Sequence, residues 1–94
     1  MKWIWDQEKN RTNKLKHGLS FETAALVFDD PLLLSRPDDD AGDERWQTIG
    51  VAESSLLFVV HTEMAFHDGE EVGRIISARR ASRRERRAYE EGTF

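Results

Sequence analysis

The chain contains no cysteine, which excludes disulfides and thiolate metal sites. Its longest apolar run is the Leu-Leu-Phe-Val-Val of residues 56–60, far short of the ~20 residues a membrane-spanning helix needs. The opening residues, Met1-Lys2-Trp3-Ile4-Trp5-Asp6, meet a charge almost at once and hold no signal-peptide apolar region. The expected location is therefore the cytoplasm, with no membrane partner. No repeat, low-complexity tract, glycine-rich phosphate loop or Ser-His-Asp arrangement is present. Histidines are few, and His61 and His67 are poorly spaced for zinc. The acidic run at 38–44 breaks the calcium-loop pattern, because position 42 is already glycine. No metal and no other cofactor is expected.

What is present is an ordinary globular balance, 34% charged and 38% apolar residues in a length of 94, enough for one domain over residues 1–94 with a modest core. The net charge of −4 hides a segregation. Residues 1–17 carry Lys2, Lys9, Arg11, Lys14 and Lys16 against Asp6 and Glu8. Residues 74–87 carry Arg74, Arg79, Arg80, Arg83, Arg84, Arg86 and Arg87 against Glu85 alone. Between them, residues 29–53 hold eight acids and only Arg36 and Arg45. A local basic face matters more for phosphate binding than the total, because salt screens exposed charges beyond roughly 8–10 Å.

Patterning predicts a short strand over 2–5, then a polar helix over 6–16 that ends at His17-Gly18. Ser20 is a fitting N-cap for a second helix, with Phe21, Ala24, Ala25, Val27 and Phe28 at helical spacing. Asp29-Asp30-Pro31 ends it. Strands are expected at 32–35, 45–52, 56–63 and 72–80, with a solvated loop over 37–43 and turns at 53–55 and 67–71. Ser82 and Glu85 form a capping-box signature for a last helix over 83–91. The order β-α-α-β-β-β-β-α predicts an α+β fold, an antiparallel sheet flanked by helices.

The arginine-rich segment 74–87 is the most informative. Strand alternation is expected to send Arg74, Ile76, Ala78 and Arg80 to one side and Ile75, Ser77 and Arg79 to the other. Arg79 and Arg80, at the strand–helix junction with Arg83, are the candidates for phosphate binding, since a guanidinium fork matches phosphate oxygens and a helix N-terminus adds amides. For Arg84, Arg86 and Arg87 the plainer reading is a solvated helix face with Glu85 and Glu90 pairing at i±4. His61, after the apolar run, is a candidate proton shuttle with Glu63 as orienting group or base; a part-buried strand-end histidine is the equal alternative. Arg45 beside Trp46 offers a cation and a stacking ring, although tryptophan in a strand more often packs inward. His17, near Lys14 and Lys16, suits helix capping or a phosphate contact. Tyr89 offers a proton or a packing ring, and His67 falls in a turn and is read as exposed.

Three stretches together resemble the BrnT toxin family. The first is Trp5-Asp6, Lys9, Asn13, Lys16-His17-Gly18-Leu19-Ser20-Phe21-Glu22, Ala25 and Val27-Phe28-Asp29. The second runs from Arg45 through Gly50 to His61-Thr62-Glu63. The third is Arg74-Ile75-Ile76-Ser77-Ala78-Arg79-Arg80-Ala81, then Glu85-Arg86 and Tyr89-Glu90. The resemblance implies a fold similar to RelE-type ribonuclease toxins and neutralisation by a BrnA-like ribbon-helix-helix antitoxin, with operator DNA bound only through the antitoxin complex. It also implies metal-independent cleavage of RNA that inhibits growth. Arg79 and Arg80, assisted by Arg45, would stabilise the phosphorane; His61 or Glu63 would be the base, and Tyr89 or His17 the acid. Lys14, His17, Arg83 and Trp46 would contact RNA. The alternative from another class is a non-catalytic RNA- or partner-binding module, a degenerate toxin.

Overall fold

A computed structural model describes residues 1–39 and 44–94. The expected acidic loop lies partly outside the described residues, which omit 40–43. The elements are β1 (Lys2–Ile4), α1 (Gln7–His17), α2 (Phe21–Ala24) continuing into a 3₁₀ turn (Ala25–Asp29), β2 (Leu34–Pro37), β3 (Arg45–Ala52), β4 (Ser55–Thr62), β5 (Ala65–His67), β6 (Glu70–Arg80) and α3 (Arg83–Glu91). The fold is α+β, as expected. The sheet has six strands in the order β1-β6-β4-β3-β2, with β5 also on β6. It is mixed: β1 runs parallel to β6, and the other pairs are antiparallel. Parallel pairing follows from the crossover through the helices and four intervening strands, which returns the chain to β1 in its starting direction. No described helix is long and apolar enough to cross a membrane.

Local chemistry sets the helix ends. Asp6 accepts from the Lys9 amide at 3.0 Å, and Ser20 accepts from the Thr23 amide at 3.1 Å, each capping an N-terminus. Gly18 ends α1 at φ +72. At α3 the capping box is complete: Glu85 N–H donates to Ser82 Oγ, and Ser82 N–H donates to Glu85 Oε1.

The core lies between the sheet and α1–α2, built from Leu19, Phe21, Ala24 and Val27 against Ala52, Leu57, Val59, Ile75 and Ala78. Two close approaches shape it. At Gly50 a Cβ would stand 3.1 Å from Val27, so the 3₁₀ turn presses directly on β3. At Gly73 a Cβ would lie 2.5 Å from the Trp3 ring, which stacks on Phe28 with centroids 3.9 Å apart.

Helix α1 docks through polar groups. Its one buried residue is Asn13, whose amide nitrogen donates to Leu19 O and Ala78 O, both at 2.9 Å, while its oxygen accepts from Ala78 N–H at 3.2 Å. Asn13 thus completes the edge of β6 beyond the reach of β1, satisfying main-chain groups that burial would otherwise leave unpaired. One turn earlier, Asn10 accepts from the Phe21 amide at 2.7 Å, serving an orphan donor at the start of α2.

Candidate functional site

Cross-strand register decides which side chains share a face. On the helix side, Trp46 pairs with His61, Thr48 with Val59, and Gly50 with Leu57. On the opposite side lie Arg45 with Thr62, Arg36 with Gln47 and Val60, and Leu34 with Ile49 and Phe58.

Strand β6 breaks the simple alternation. Val60 pairs with Ser77 but His61 pairs with Ile75, so Ile76 is an extra residue in a bulge. Ile75 and Ala78 consequently both face the core. The expected grouping of Arg74 with Ala78 and Arg80 is therefore corrected: Arg74 shares the open face with Ser77 and Arg79, and Arg80 lies on the helix side. The bulge turns Arg74 to the face of Arg36, Arg45 and Arg79, which α1 and α2 leave uncovered. The last helix and Phe94 cover one end of that face: Ile49 and Phe58 are buried there, and Arg36 lies over the Phe94 ring at 4.1 Å.

At one end of this face is a cleft of about 420 Å³ lined by Ile4, Glu44, Arg45, Thr62, Glu63, Ala65, His67, Val72, Gly73, Arg74 and Ile76. Each polar group has a structural reason to be there. Arg45 begins β3, and Thr62 ends β4 with its hydroxyl accepting from the Arg74 amide at 2.9 Å. Glu63 stands in the break between β4 and β5. His67 ends β5 just before a two-residue turn, Asp68-Gly69, with φ of +51 and +81, the left-handed pair that joins tight hairpins. Ala65 pairs with Val72, so Ala65, His67, Val72 and Arg74 turn the same way. Two arginines, two carboxylates and an imidazole thus converge over an apolar floor.

The other residues expected at the site are distributed around the molecule. His61 is buried against the stacked pair of Trp3 and Phe28, edge-on to both, with ring centroids at 5.2 and 4.9 Å. Its Nδ1–H donates to Thr62 O at 2.8 Å, so Nε2 accepts from the Thr48 hydroxyl at 2.6 Å, and Thr48 in turn accepts from Ser35 at 2.7 Å. Burial pushes the imidazole below its ordinary pKa, partly opposed by the bond to Thr62. The geometry is that of a satisfied interior histidine, with both nitrogens engaged.

Arg79 makes a bidentate pair with Glu85, both bonds 2.8 Å, and lies over the Phe58 ring at 4.1 Å. Burial would raise the Glu85 carboxyl, but the bonds from Arg79 and Ser82 outweigh it and hold it low. Glu85 therefore joins β6 to α3 instead of pairing along the helix. Arg80 is exposed and reaches His17 O at 3.4 Å; His17 lines a separate groove with Lys16 and Thr12. Lys14 lies near Glu22, Arg83 is exposed in the first turn of α3, and Trp46 is half-buried on the helix side. Tyr89 donates to Asp30 Oδ2 at 2.6 Å.

Arg74 and His67 are the cleft residues that sequence patterning passes over. Strand alternation alone groups Arg74 with Ala78; His67 is exposed, as expected, but stands at the end of a strand and not in a turn. The available signal was the Asp-Gly pair flanked by Phe66 and Val72, which marks a hairpin and places His67 on a strand. Among the described residues, no group of three or more His, Asp or Glu side chains is arranged to hold a metal ion.

The molecule is thus a small α+β domain with an arginine-lined sheet face. The family of ribonuclease toxins named BrnT, of type II toxin–antitoxin systems, matches residues 5–85, most of the chain, and the chain belongs to that family. At family level it is a ribonuclease toxin with RNA as substrate and an antitoxin as partner. No curated protein matches it.

Proposed function

We propose that this protein is an endoribonuclease that cuts RNA without a metal ion, by attack of a ribose 2′-hydroxyl on the adjacent phosphate. It inhibits growth until a ribbon-helix-helix antitoxin, BrnA-like, neutralises it; operator DNA is bound only through that antitoxin. The observation that carries the reading is the sheet face shared by Arg36, Arg45, Arg74 and Arg79, to which the β6 bulge turns Arg74. Fixed guanidinium groups aimed at one path stabilise the extra negative charge of a phosphorane better than that of the starting diester.

In this reading RNA crosses the part of this face that α3 leaves exposed, and the reacting phosphate sits at the cleft between Arg45 and Arg74. Glu63 at the cleft is the base. Arg79, held by Glu85, shapes the far end of the path, and Tyr89 anchors α3 there. His61 supports the sheet from behind. Lys14, His17, Arg80 and Trp46 lie on the helix side, outside this path, and Arg83 extends it at the start of α3.

The test is antitoxin-free protein with end-labelled RNA in excess EDTA, beside the same strand carrying 2′-deoxyribose throughout. Cleavage of the RNA alone, leaving 2′,3′-cyclic phosphate ends, is expected. Retention of both strands without cleavage overturns the enzyme reading in favour of a binding module.

A further inference from the structure

We infer that His67 and Glu63 are the proton-transferring pair of this site, with His67 as general acid. The inference rests on the ribonuclease reading above and adds the residues that move protons.

Three histidines are available. His61 is enclosed, with both nitrogens engaged. His17 lines a groove on the helix side, against α1. His67 opens into the cleft that also holds Glu63, Arg45 and Arg74. Imidazole is a common proton donor and acceptor in catalysis, so position decides which of the three can serve. That position is set by the backbone. His67 pairs with Glu70 across the Asp68-Gly69 turn, and the strand alternation that turns His67 to the cleft turns Phe66 away, leaving it 74% exposed.

Glu63 lines the same space. It sits between the end of β4 and the start of β5, so paired strands hold its backbone on both sides. Glu44 also lines the cleft, just before β3. An in-line displacement needs a base on the nucleophile's side of phosphorus and an acid on the leaving group's side. A carboxylate and an imidazole on separate elements, with two arginines lining the same space, suit that requirement. The apolar floor of Ile4, Ala65, Val72 and Ile76 offers a surface for sugar and base. The volume falls within the range of ~300–1,000 Å³ usual for small-ligand sites.

The step balances without any further reactant. Glu63 takes the proton of the 2′-hydroxyl as its oxygen bonds to phosphorus. The bond from phosphorus to the 5′-oxygen breaks, and that oxygen leaves with the electron pair and takes a proton from the His67 imidazolium. The products are a 2′,3′-cyclic phosphate and a 5′-hydroxyl, and solvent returns the proton from Glu63 to His67.

The test measures single-turnover cleavage of an RNA oligonucleotide by the wild type, His67→Gln and Glu63→Gln across pH 5–9. Each variant is also given the same strand with sulfur in place of the scissile 5′-oxygen, a leaving group that needs no acid. Binding to the all-2′-deoxy strand and circular dichroism report docking and folding. Both variants are expected to fold, to bind within about twofold of wild type, and to cleave roughly 10²–10⁴-fold more slowly. His67→Gln should lose the alkaline limb of the pH profile and regain near-wild-type rate on the sulfur substrate, whereas Glu63→Gln should not regain it. A His67→Gln protein that cuts at the wild-type rate with an unchanged profile, or that stays slow on the sulfur substrate, overturns the assignment and leaves the ribonuclease reading standing. A wild type that cuts neither substrate overturns both.

Discussion

The phenol of Tyr89 donates a 2.6 Å hydrogen bond to Asp30 Oδ2, tying the last helix to the turn that ends the second one. The same carboxylate accepts from Val51 N–H at 2.8 Å and, through its other oxygen, from Leu32 N–H at 2.9 Å. Asp30 therefore joins three segments far apart in sequence.

The protein has a single tyrosine, so absorbance at 295 nm reads this bond directly. The bond to Asp30, with burial and the carboxylate charge adding to it, raises the Tyr89 pKa from 10.0 to about 12. A raised native pKa stabilises the fold below pH 10, a contribution lost as pH climbs towards 12. The titration midpoint should fall towards 10 in Asp30→Ala. Tyr89→Phe should cost about 0.5–1.5 kcal/mol and Asp30→Ala more, as it removes three bonds, both measured by urea unfolding.

His61 makes stability depend on acidity. Its native pKa lies below the 6.5 of the free side chain, because burial disfavours the charged ring. The unfolded chain then binds the extra proton first as pH falls. Stability should be complete above about pH 6.5 and decline as pH drops below it. Protonation would also place a hydrogen on Nε2 facing the Thr48 hydroxyl. Thr48→Val should cost roughly 1–3 kcal/mol by leaving Nε2 without its donor. Unfolding curves at pH 5, 6 and 7 check both statements; a flat profile contradicts the first.

Gly73→Ala should be destabilising although alanine is usually mild in a strand. The new methyl would meet the Trp3 ring at 2.5 Å and Met64 Sδ at 3.0 Å, an overpacking cost of about 1–3 kcal/mol. Trp3 must shift, so tryptophan fluorescence should change along with the melting temperature.

Arg79 and Glu85 should show a coupling energy of about 1 kcal/mol in a double-mutant cycle, since Glu85 is only 14% exposed but Arg79 is 39% exposed. Arg79→Lys should recover only part of it, because lysine lacks the two-pronged geometry of the pair.

The salt dependence of RNA binding tests which face carries the strand. Arg74→Ala and Arg45→Ala should each lower the slope of log K against log salt by about 0.7, the value for one single-strand phosphate contact. Lys14→Ala, on the helix side near Glu22, should leave the slope unchanged. Equal losses from all three would move RNA off the open face.

Much of the fold was legible in local patterns. The caps at Ser20 and Ser82, the stop at Gly18 and the strand periods all depend on residues within a few positions of one another, and local sequence encodes such contacts fully. The parallel pairing of β1 with β6 was not legible, because it joins Trp3 to Gly73, and no short-range rule reports that separation. Nor was the docking of α1, whose inward groups are Asn10, bonded to Phe21, and Asn13, bonded to main chain 65 residues away at Ala78, and so leave no apolar stripe.

The site divides along the same line. Composition and order alone identified a basic C-terminal segment, an apolar strand ending in His61-Thr62-Glu63, and an Arg45-Trp46 pair, because charge and hydrophobicity are properties of residues. Which of these groups meet was decided by tertiary structure. The unpaired Ile76 reverses the alternation of β6 and brings Arg74 to the face of Arg79, and the register of β4 buries His61 while the hairpin after it carries His67 into the cleft. A one-residue slip turns every later side chain to the other face, and only the pairing of strands with one another sets where that slip occurs.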